Sequence, residues 1–495
     1  MSARDRGWQR GRAAVLLAGV VAGAGCVAGP PSVAGVRGVS PAPEVPWTPP
    51  AGVAPATPRD TTPPTAVPDD LADRIRRLTL TDIVDLGLRN NPATRLAWAN
   101  ARTAAAAYGA ERGSWLPTVD ADVTASRLQT VASQGRTAVR QSVLAPSITL
   151  GYLLFDFGGR SGRVAGARQR MLAASFTHNA VIQDVVLQVQ VAYFRYQANR
   201  ALLQAQRTTL EEAELNLTAA EERRRVGLAT IADVLQARTA ASQARLDLQS
   251  VEGNLQTSRG ALALALGLPA NLSYDVDSTA STAPVAAVAD SVDAIIAAAV
   301  AGRPDLAAAR ADAEAARAGI GEARAALLPS LQLGATGGRT YATTIPDGAN
   351  SYTLSLGLAI PLFDGFARQY EVAGARAEAD AAQARSESLR QQVIYQVFSA
   401  YYALQTASRR VTTADDLVAS ATQSSEVALG RYRSGVGSVL DLLAAQSALA
   451  SARAQQVDAR LAWSVSLAQL THDAGVLDPQ GDSPLRLTSD TTTAR

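Results

Sequence analysis

Only three side chains in the sequence, His178, His472 and Cys26, carry an imidazole or thiol able to act as base, nucleophile or metal ligand near neutral pH. Two His and one Cys, standing far apart, rule out a disulfide framework and leave no cluster with metal-ligand spacing, so no metal centre and no His- or Cys-based catalysis is expected. His178 and His472 lie singly on helical stretches and read as solvated side chains. No zinc-binding His motif, nucleophile elbow or phosphate-binding Gly loop occurs, so the chain is not read as an enzyme and no cofactor is expected.

Cys26 points to a different chemistry. Arg4, Arg6, Arg10 and Arg12 precede the apolar run AAVLLAGVVAGAG, which is the layout of a secretory signal and too short to span a bilayer. Following Ala24 and Gly25, Cys26 suits the lipidated first residue of a bacterial lipoprotein, although Gly23 stands where such signals usually place Leu. The alternative is cleavage after Ala22-Gly23-Ala24, which leaves Cys26 a plain small residue.

The other polar residues with a meaningful spacing occur twice. RRRVGLATIADVLQARTA (223–240) aligns with RYRSGVGSVLDLLAAQSA (431–448). Arg223, Arg224 and Arg225, like Arg431 and Arg433, suit the last turn of a helix, where positive charge complements the helix dipole. Gly227 and Gly435 suit a left-handed C-terminal cap. Thr230 with Asp233, and Ser438 with Asp441, spell a capping box that starts the next helix.

Elements that position these residues follow from a duplication. LFDFGGRSGRVAGAR (154–168) returns as LFDGFARQYEVAGAR (362–376), with nine of fifteen positions identical at an offset of 208. NPATRLAWANARTAAAAYGAERGSWLP (91–117) returns as RPDLAAARADAEAARAGIGEARAALLP (303–329) at an offset of 212. No Pro occurs between Pro146 and Pro269 or between Pro361 and Pro479, and these stretches are rich in good helix formers. Val181, Val185, Val186, Val189, Tyr193, Tyr196 and Leu203 recur at helical steps, matched by Leu389, Val393, Ile394, Val397, Tyr401 and Leu404.

The first half is therefore expected to hold helices near residues 92–114, 158–225 and 230–266, with Pro92 and Pro304 in first turns and Asp156 and Asp364 as N-caps. Between the helices the period changes to two. Val119, Ala121, Val123 and Ala125 alternate with Asp120, Asp122, Thr124 and Ser126, and Ile148, Leu150, Tyr152 and Leu154 form the next apolar set. Leu331, Leu333 and Ala335, then Tyr352, Leu354, Leu356, Leu358 and Ile360, repeat the pattern. Four strands cannot close a barrel, so in a membrane other copies must complete them; a soluble sheet with one wet face shows the same alternation. Tyr152, Phe155, Phe157, Tyr341, Tyr352, Phe363 and Phe366 lie where aromatic girdles would. Residues 30–68 hold 12 of the 23 prolines and read as an extended tether. With 46 basic and 44 acidic residues, charge gives no reason to expect nucleic acid.

On these motifs, recurring in order and in duplicate over residues 78–475, the chain resembles the TolC-like outer membrane efflux proteins, and Cys26 makes it similar to their lipoprotein branch. The resemblance implies a mainly α fold with a small transmembrane β part. Three chains would form one twelve-stranded outer-membrane β-barrel, four strands per chain, continued by a long α-helical periplasmic tunnel. The implied division is signal peptide 1–25, Pro-rich tether 26–70, repeat one 71–270, connector 271–290, repeat two 291–475 and tail 476–495. The implied function is a passive duct of a tripartite efflux or type I secretion system, with outer-membrane lipid, a periplasmic adaptor and an inner-membrane pump as partners.

By the same resemblance, Asp233, Tyr432 and Asp441 are gate positions, and Val226, Gly227, Leu228 and Gly435 an adaptor-docking motif. The sequence departs from the family at Gly437, where an Arg ties the gate, and at Ala444, where a second acid is usual. The competing reading is a coiled-coil surface lipoprotein or scaffold without a pore.

Overall fold

A computed structural model of the chain describes residues 79–129, 140–271 and 291–476, with the short pieces 40, 42, 44–47, 276, 287–288 and 487–488. Cys26, the leader and most of the Pro-rich tether lie outside the described residues.

Each half begins with a short helix absent from the expectations above: α1, Leu80–Asn90, and its counterpart α5, Val292–Gly302. Their signals are local. Thr79 and Asp82 form a capping box at the start of α1, and Ser291 caps α5. Helix α2 (Pro92–Gly113) starts on Pro92, with Asn91 accepting from the Ala93 amide, and α6 (Pro304–Ala325) starts on Pro304.

The two longest helices, α3 (Gly159–Arg225) and α7 (Ala367–Arg433), have 67 residues each and extend about 100 Å. Helices α4 (Ile231–Ala265) and α8 (Val439–Asp473) return beside them, 35 residues each. Asp156 and Asp364 stand two residues before the true N-caps, Gly158 and Phe366, which are left-handed and carry no side-chain cap bond. The carboxylates still meet the helix start: Asp156 Oδ2 accepts from the Arg160 amide at 2.5 Å and Asp364 Oδ2 from the Arg368 amide at 3.3 Å. The left-handed turn inserts the extra residues and lets the acid reach back over the first turn.

Strands β1 (Thr118–Gln129), β2 (Arg140–Phe155), β4 (Ser330–Ala342) and β5 (Ile345–Ala359) form one antiparallel sheet in the order β1-β2-β4-β5. The two hairpins, distant in sequence, join through β2 and β4, with Leu150 opposite Ala335 and Tyr152 opposite Leu333. Strand β2 runs through Pro146, which the β2–β4 pairing skips, so its missing N–H breaks no bond there. A two-residue pair of strands, β3 (Ala287–Val288) and β6 (Leu487–Thr488), ties the linker between the halves to the C-terminal segment.

The register puts like with like. Val119, Leu150, Ala335 and Leu354 form one row across all four strands, and Ala121, Ile148, Gly337 and Tyr352 form another. The opposite face carries Asp120, Thr149, Thr336 and Thr353. The apolar face stays uncovered: Tyr352 is 91% exposed and Leu354 73%.

Packing is thickest where the short helices lie. Ile83, Leu86 and Leu88 of α1 cover Val185, Val186 and Val189 of α3 and Leu262 of α4. At the corresponding level of the second half, Ile295 and Ala299 of α5 cover Val393 and Val397 of α7 and Leu470 of α8. Farther along, the two arms of a hairpin are joined by thin layers of small residues, such as Ala213 of α3 with Ala241 and Ala244 of α4. Small side chains let helices approach closely and lie side by side as a wall. The halves also bond each other, with α3 packed against α6 and α8. Gly162 lets α3 and α6 approach closely, since a Cβ there would sit 2.9 Å from the Glu322 amide nitrogen.

Neither histidine is solvated. His178 is fully buried, its Nε2 3.1 Å from the Val45 carbonyl. Segment 44–47 covers it: Trp47 packs edge-on against Phe176 and exchanges two hydrogen bonds with the Asn179 side chain. Burial holds the His178 imidazole below its ordinary pKa, with the Val45 carbonyl opposing. His472 bridges Asp184 Oδ1 through Nε2 at 2.8 Å and Asp473 Oδ1 through Nδ1 at 3.0 Å. Reading them as solvated failed because their partners come from segments 133 and 288 residues away.

Candidate functional site at the hairpin tips

Both long helices end in the same hydrogen-bonded cap. Leu228 N donates to Arg223 O at 2.8 Å and Gly227 N to Arg224 O at 3.0 Å; Val436 N donates to Arg431 O and Gly435 N to Tyr432 O. This double bond needs one residue with positive φ, and Gly227 and Gly435 supply it at +79° each. Three residues later the chain turns back into helix. Thr230 Oγ1 accepts from the Asp233 amide while Asp233 Oδ2 accepts from the Thr230 amide, and Ser438 with Asp441 repeats the exchange. The expected caps are therefore present at both tips.

The side chains then part company. Val226, Leu228, Ile231 and Leu235 are all more than half exposed, so the first tip offers four apolar side chains to solvent. At the second tip Val436 and Leu440 are exposed, whereas Val439 and Leu442 turn inward with Tyr432. Ile231 and Leu235 add to the exposed apolar residues of the first tip and Leu440 to those of the second, and none of the three is among the residues the sequence singles out. Their only signal was an apolar residue on the outer side of a freshly capped helix.

The three acidic and aromatic positions are not brought together into one cluster. Each Asp carboxylate engages its own capping box. Tyr432 is buried at 8% exposure and meets a residue of the other hairpin: Arg223 Nη1 donates to the Tyr432 carbonyl at 2.8 Å, and its guanidinium lies 4.4 Å from the ring centre. In the sequence Arg223 shows only as a helix-end charge. Gly437 donates its amide to the Arg431 carbonyl at 3.0 Å, and a Cβ there would press on the Arg431 Cβ at 3.0 Å and on the Arg431–Tyr432 backbone at 3.1 to 3.2 Å. Ala444 is exposed on α8. Among the described residues no group of three or more His, Cys, Asp or Glu could hold a metal ion. No helix among them is long and apolar enough to cross a membrane, which says nothing of the sheet.

The molecule thus pairs a sheet with one apolar and one polar face with a wall of helices about 100 Å long that ends in capped, apolar tips. Comparisons with known proteins agree with that arrangement. Protein CyaE of Bordetella pertussis is 31% identical over 392 residues, 78% of this chain and 81% of that protein. Outer membrane protein OprJ of Pseudomonas aeruginosa is 28% identical over 375 residues, 74% and 77% of the two chains. A membrane protein of Pseudomonas aeruginosa of known crystal structure superposes with a TM-score of 0.73 at 26% identity, over 80% of this chain and 93% of that one. The outer membrane protein VceC of Vibrio cholerae shares the fold, with a TM-score of 0.72 at 21% identity, over 80% and 96%. The sequence model of the outer membrane efflux proteins matches residues 83–268 and 295–476, one segment in each half. Matched across both repeats, with strand pairs and long hairpins in the same order, the chain belongs to the outer membrane efflux protein family.

Proposed function

We propose that this protein is the outer-membrane duct of a tripartite efflux or type I secretion system, conducting substrates passively from an inner-membrane pump to the exterior. The observation that carries this reading is the sheet: its apolar face is exposed, its opposite face is polar, and it runs directly into 67-residue helices. Strands of 12 to 16 residues extend about 40 Å or more, so even tilted they cover the roughly 25 Å apolar band of a transmembrane barrel.

Strands β1 and β5 are the sheet's edges, and an open edge facing lipid leaves backbone groups unpaired. Three copies, four strands each, close a twelve-stranded barrel. The repeat supports this assembly independently. Inside one chain α6 and α8 pack on α3, and the matching face of α7 leaves Tyr395 and Phe398 exposed. Helices α2 and α4 of a second copy, with Leu96 and Leu264 exposed, fit there as α6 and α8 fit on α3. Charged helix faces then line a water-filled tunnel that does no chemistry and needs no cofactor.

The hairpin tips form the periplasmic end. Asp233, Tyr432 and Asp441 narrow the entrance, and Val226, Gly227, Leu228 and Gly435 dock the periplasmic adaptor. The four apolar residues at the first tip support a docking role, because side chains exposed in this number usually await a partner. Cys26, once lipidated, anchors the chain in the outer membrane, with the Pro-rich tether as spacer.

Single-channel recording in a planar bilayer tests the duct and the gate together. Wild type is expected to form discrete pores, and Asp233→Ala combined with Asp441→Ala to give larger or longer-lived ones. Folded protein that never conducts, wild type and variant alike, would transfer the reading to a scaffold.

A further inference from the structure

We infer that the groove between α2 and α3 of repeat one is a binding site for a linear peptide, and that its resident ligand is residues 40–47 of the same chain. Trp98 Nε1 donates to the Ser40 carbonyl at 2.8 Å, and His178 Nε2 meets the Val45 carbonyl at 3.1 Å. The Asn179 side chain accepts from the Trp47 amide at 2.7 Å and donates to the Trp47 carbonyl at 2.8 Å. All four bonds engage the segment's backbone, which gives affinity, while a pocket for one side chain gives specificity. That side chain is Trp47, 3% exposed, set edge-on to Phe176 with ring centres 5.0 Å apart and clustered with Met171, Leu172 and Ala105. The groove also depends on its occupant. His178 is fully buried and its Nδ1 has no partner among the described residues, so the Val45 carbonyl is what satisfies the ring. The segment is shaped for the site, with the Ser40 hydroxyl and the Val45 amide both donating to the Ala42 carbonyl, at 2.8 and 3.3 Å. A preorganised ligand loses less freedom on binding.

Only one of the two repeats carries this seat. At the offsets of 212 for α2 and 208 for α3, Trp98 becomes Arg310, and Phe176, His178 and Asn179 become Ala384, Ser386 and Glu387. The ring that meets Trp47 and the amide that holds its backbone are gone, and the equivalent groove is a cavity lined by Arg310, Gln383, Ser386, Glu387 and Arg390. Two grooves of one origin thus differ in what they accept, and only the first suits an aromatic-anchored peptide. Residues 48–78 link the ligand to the start of α1, so it stays near the site at an effective concentration of roughly 1 mM, and a modest affinity keeps the site filled. With Cys26 lipidated as proposed above, the seat gives the N-terminal anchor a second hold on the body. From Cys26 to Ser40 the chain reaches at most about 50 Å, and position 178 lies about 28 Å along α3 from its start at Gly159. That consequence rests on the anchor; the peptide site stands without it.

A fluorescein-labelled peptide of residues 38–49, read by anisotropy against detergent-solubilised full-length protein, tests the site. Trp47→Ala weakens the resident ligand and is expected to open a saturable site for the peptide. Wild type is expected to bind it at least tenfold more weakly, because its own segment competes at roughly 1 mM. Adding Asn179→Ala to the Trp47→Ala protein removes two hydrogen bonds and is expected to lower affinity about tenfold, and a Trp47→Ala peptide is expected not to bind. Melting reads the same event without the label: Trp47→Ala is expected to lower the melting temperature and unlabelled peptide to restore part of the loss. Equal binding by wild type and the Trp47→Ala protein, or binding undiminished by Asn179→Ala, puts the peptide elsewhere and overturns the inference. So does a peptide that neither binds the Trp47→Ala protein nor raises its melting temperature. Pores recorded from the same preparations keep the two readings apart: conduction without peptide binding sinks the site alone, and peptide binding without conduction sinks the duct alone.

Discussion

At the scale of single residues, the strongest electrostatic feature is His472. Burial disfavours its charge, but hydrogen bonds to Asp184 and Asp473 outweigh that and push its pKa up to about 9. The bond to Asp184 crosses from repeat two to repeat one, so the protonated ring clasps the halves. An unfolded His titrates near 6.5, so this stabilisation is full below about pH 6.5 and fades as pH rises through about 9. Its size is on the order of 3 kcal/mol at most. Melting of detergent-solubilised protein is expected to fall between pH 6.5 and 9.5 in wild type, and to change little over that range in His472→Gln. Parallel slopes in the two proteins would remove the clasp. Arg303, 7% exposed, secures the same level by holding Asp305, Gln396 Oε1 and the Asp473 carbonyl.

Among the elements, the caps at the tips decide where a 100 Å helix stops and turns. Both glycines have φ of +79°, and a Cβ at either would meet no atom within 4 Å. Substitution therefore strains backbone alone, by about 1–2 kcal/mol. Gly227→Ala and Gly435→Ala are expected to speed hydrogen exchange of the Leu228 and Val436 amides, respectively, by roughly tenfold, with exchange near Val189 unchanged. Equal acceleration at both places would mean the tip is not an independent unit. These caps were readable in advance because a Schellman turn and a capping box are spelled by residues within eight positions of one another. The short helices α1 and α5 were missed although the first carries the same Thr-x-x-Asp box. Each is only 11 residues, and its apolar residues matter chiefly for the helices they cover.

For the whole molecule, the two faces of β5 make opposite demands. Leu354 lies on the apolar face and Thr353 on the polar one, adjacent in sequence and both exposed in a single chain. In a barrel around water, Leu354→Arg sets a charge in lipid at a cost of about 2–4 kcal/mol near the bilayer midplane, while Thr353→Arg faces the lumen. Leu354→Arg is expected to lose the detergent-resistant trimer, and Thr353→Arg to keep it and shift ion selectivity towards anions. If both variants assemble equally, the sheet does not face lipid.

Periodicity, caps and the 208-residue repeat are properties of neighbours along the chain, and they were enough to place the helices near 92–114, 158–225 and 230–266 in the first half to within a residue or two and to find every strand of the four-stranded sheet. The family could be recognised for the same reason, since its motifs are local and recur in order. Joining β2 to β4, clasping Asp184 with His472, covering His178 with segment 44–47 and setting Arg223 against Tyr432 are pairings between segments up to 288 residues apart. Spacing along a chain carries no record of such partners. Only the packed structure brings them within bonding distance, because it is the superposition of the two repeats, and not either repeat alone, that decides which faces meet.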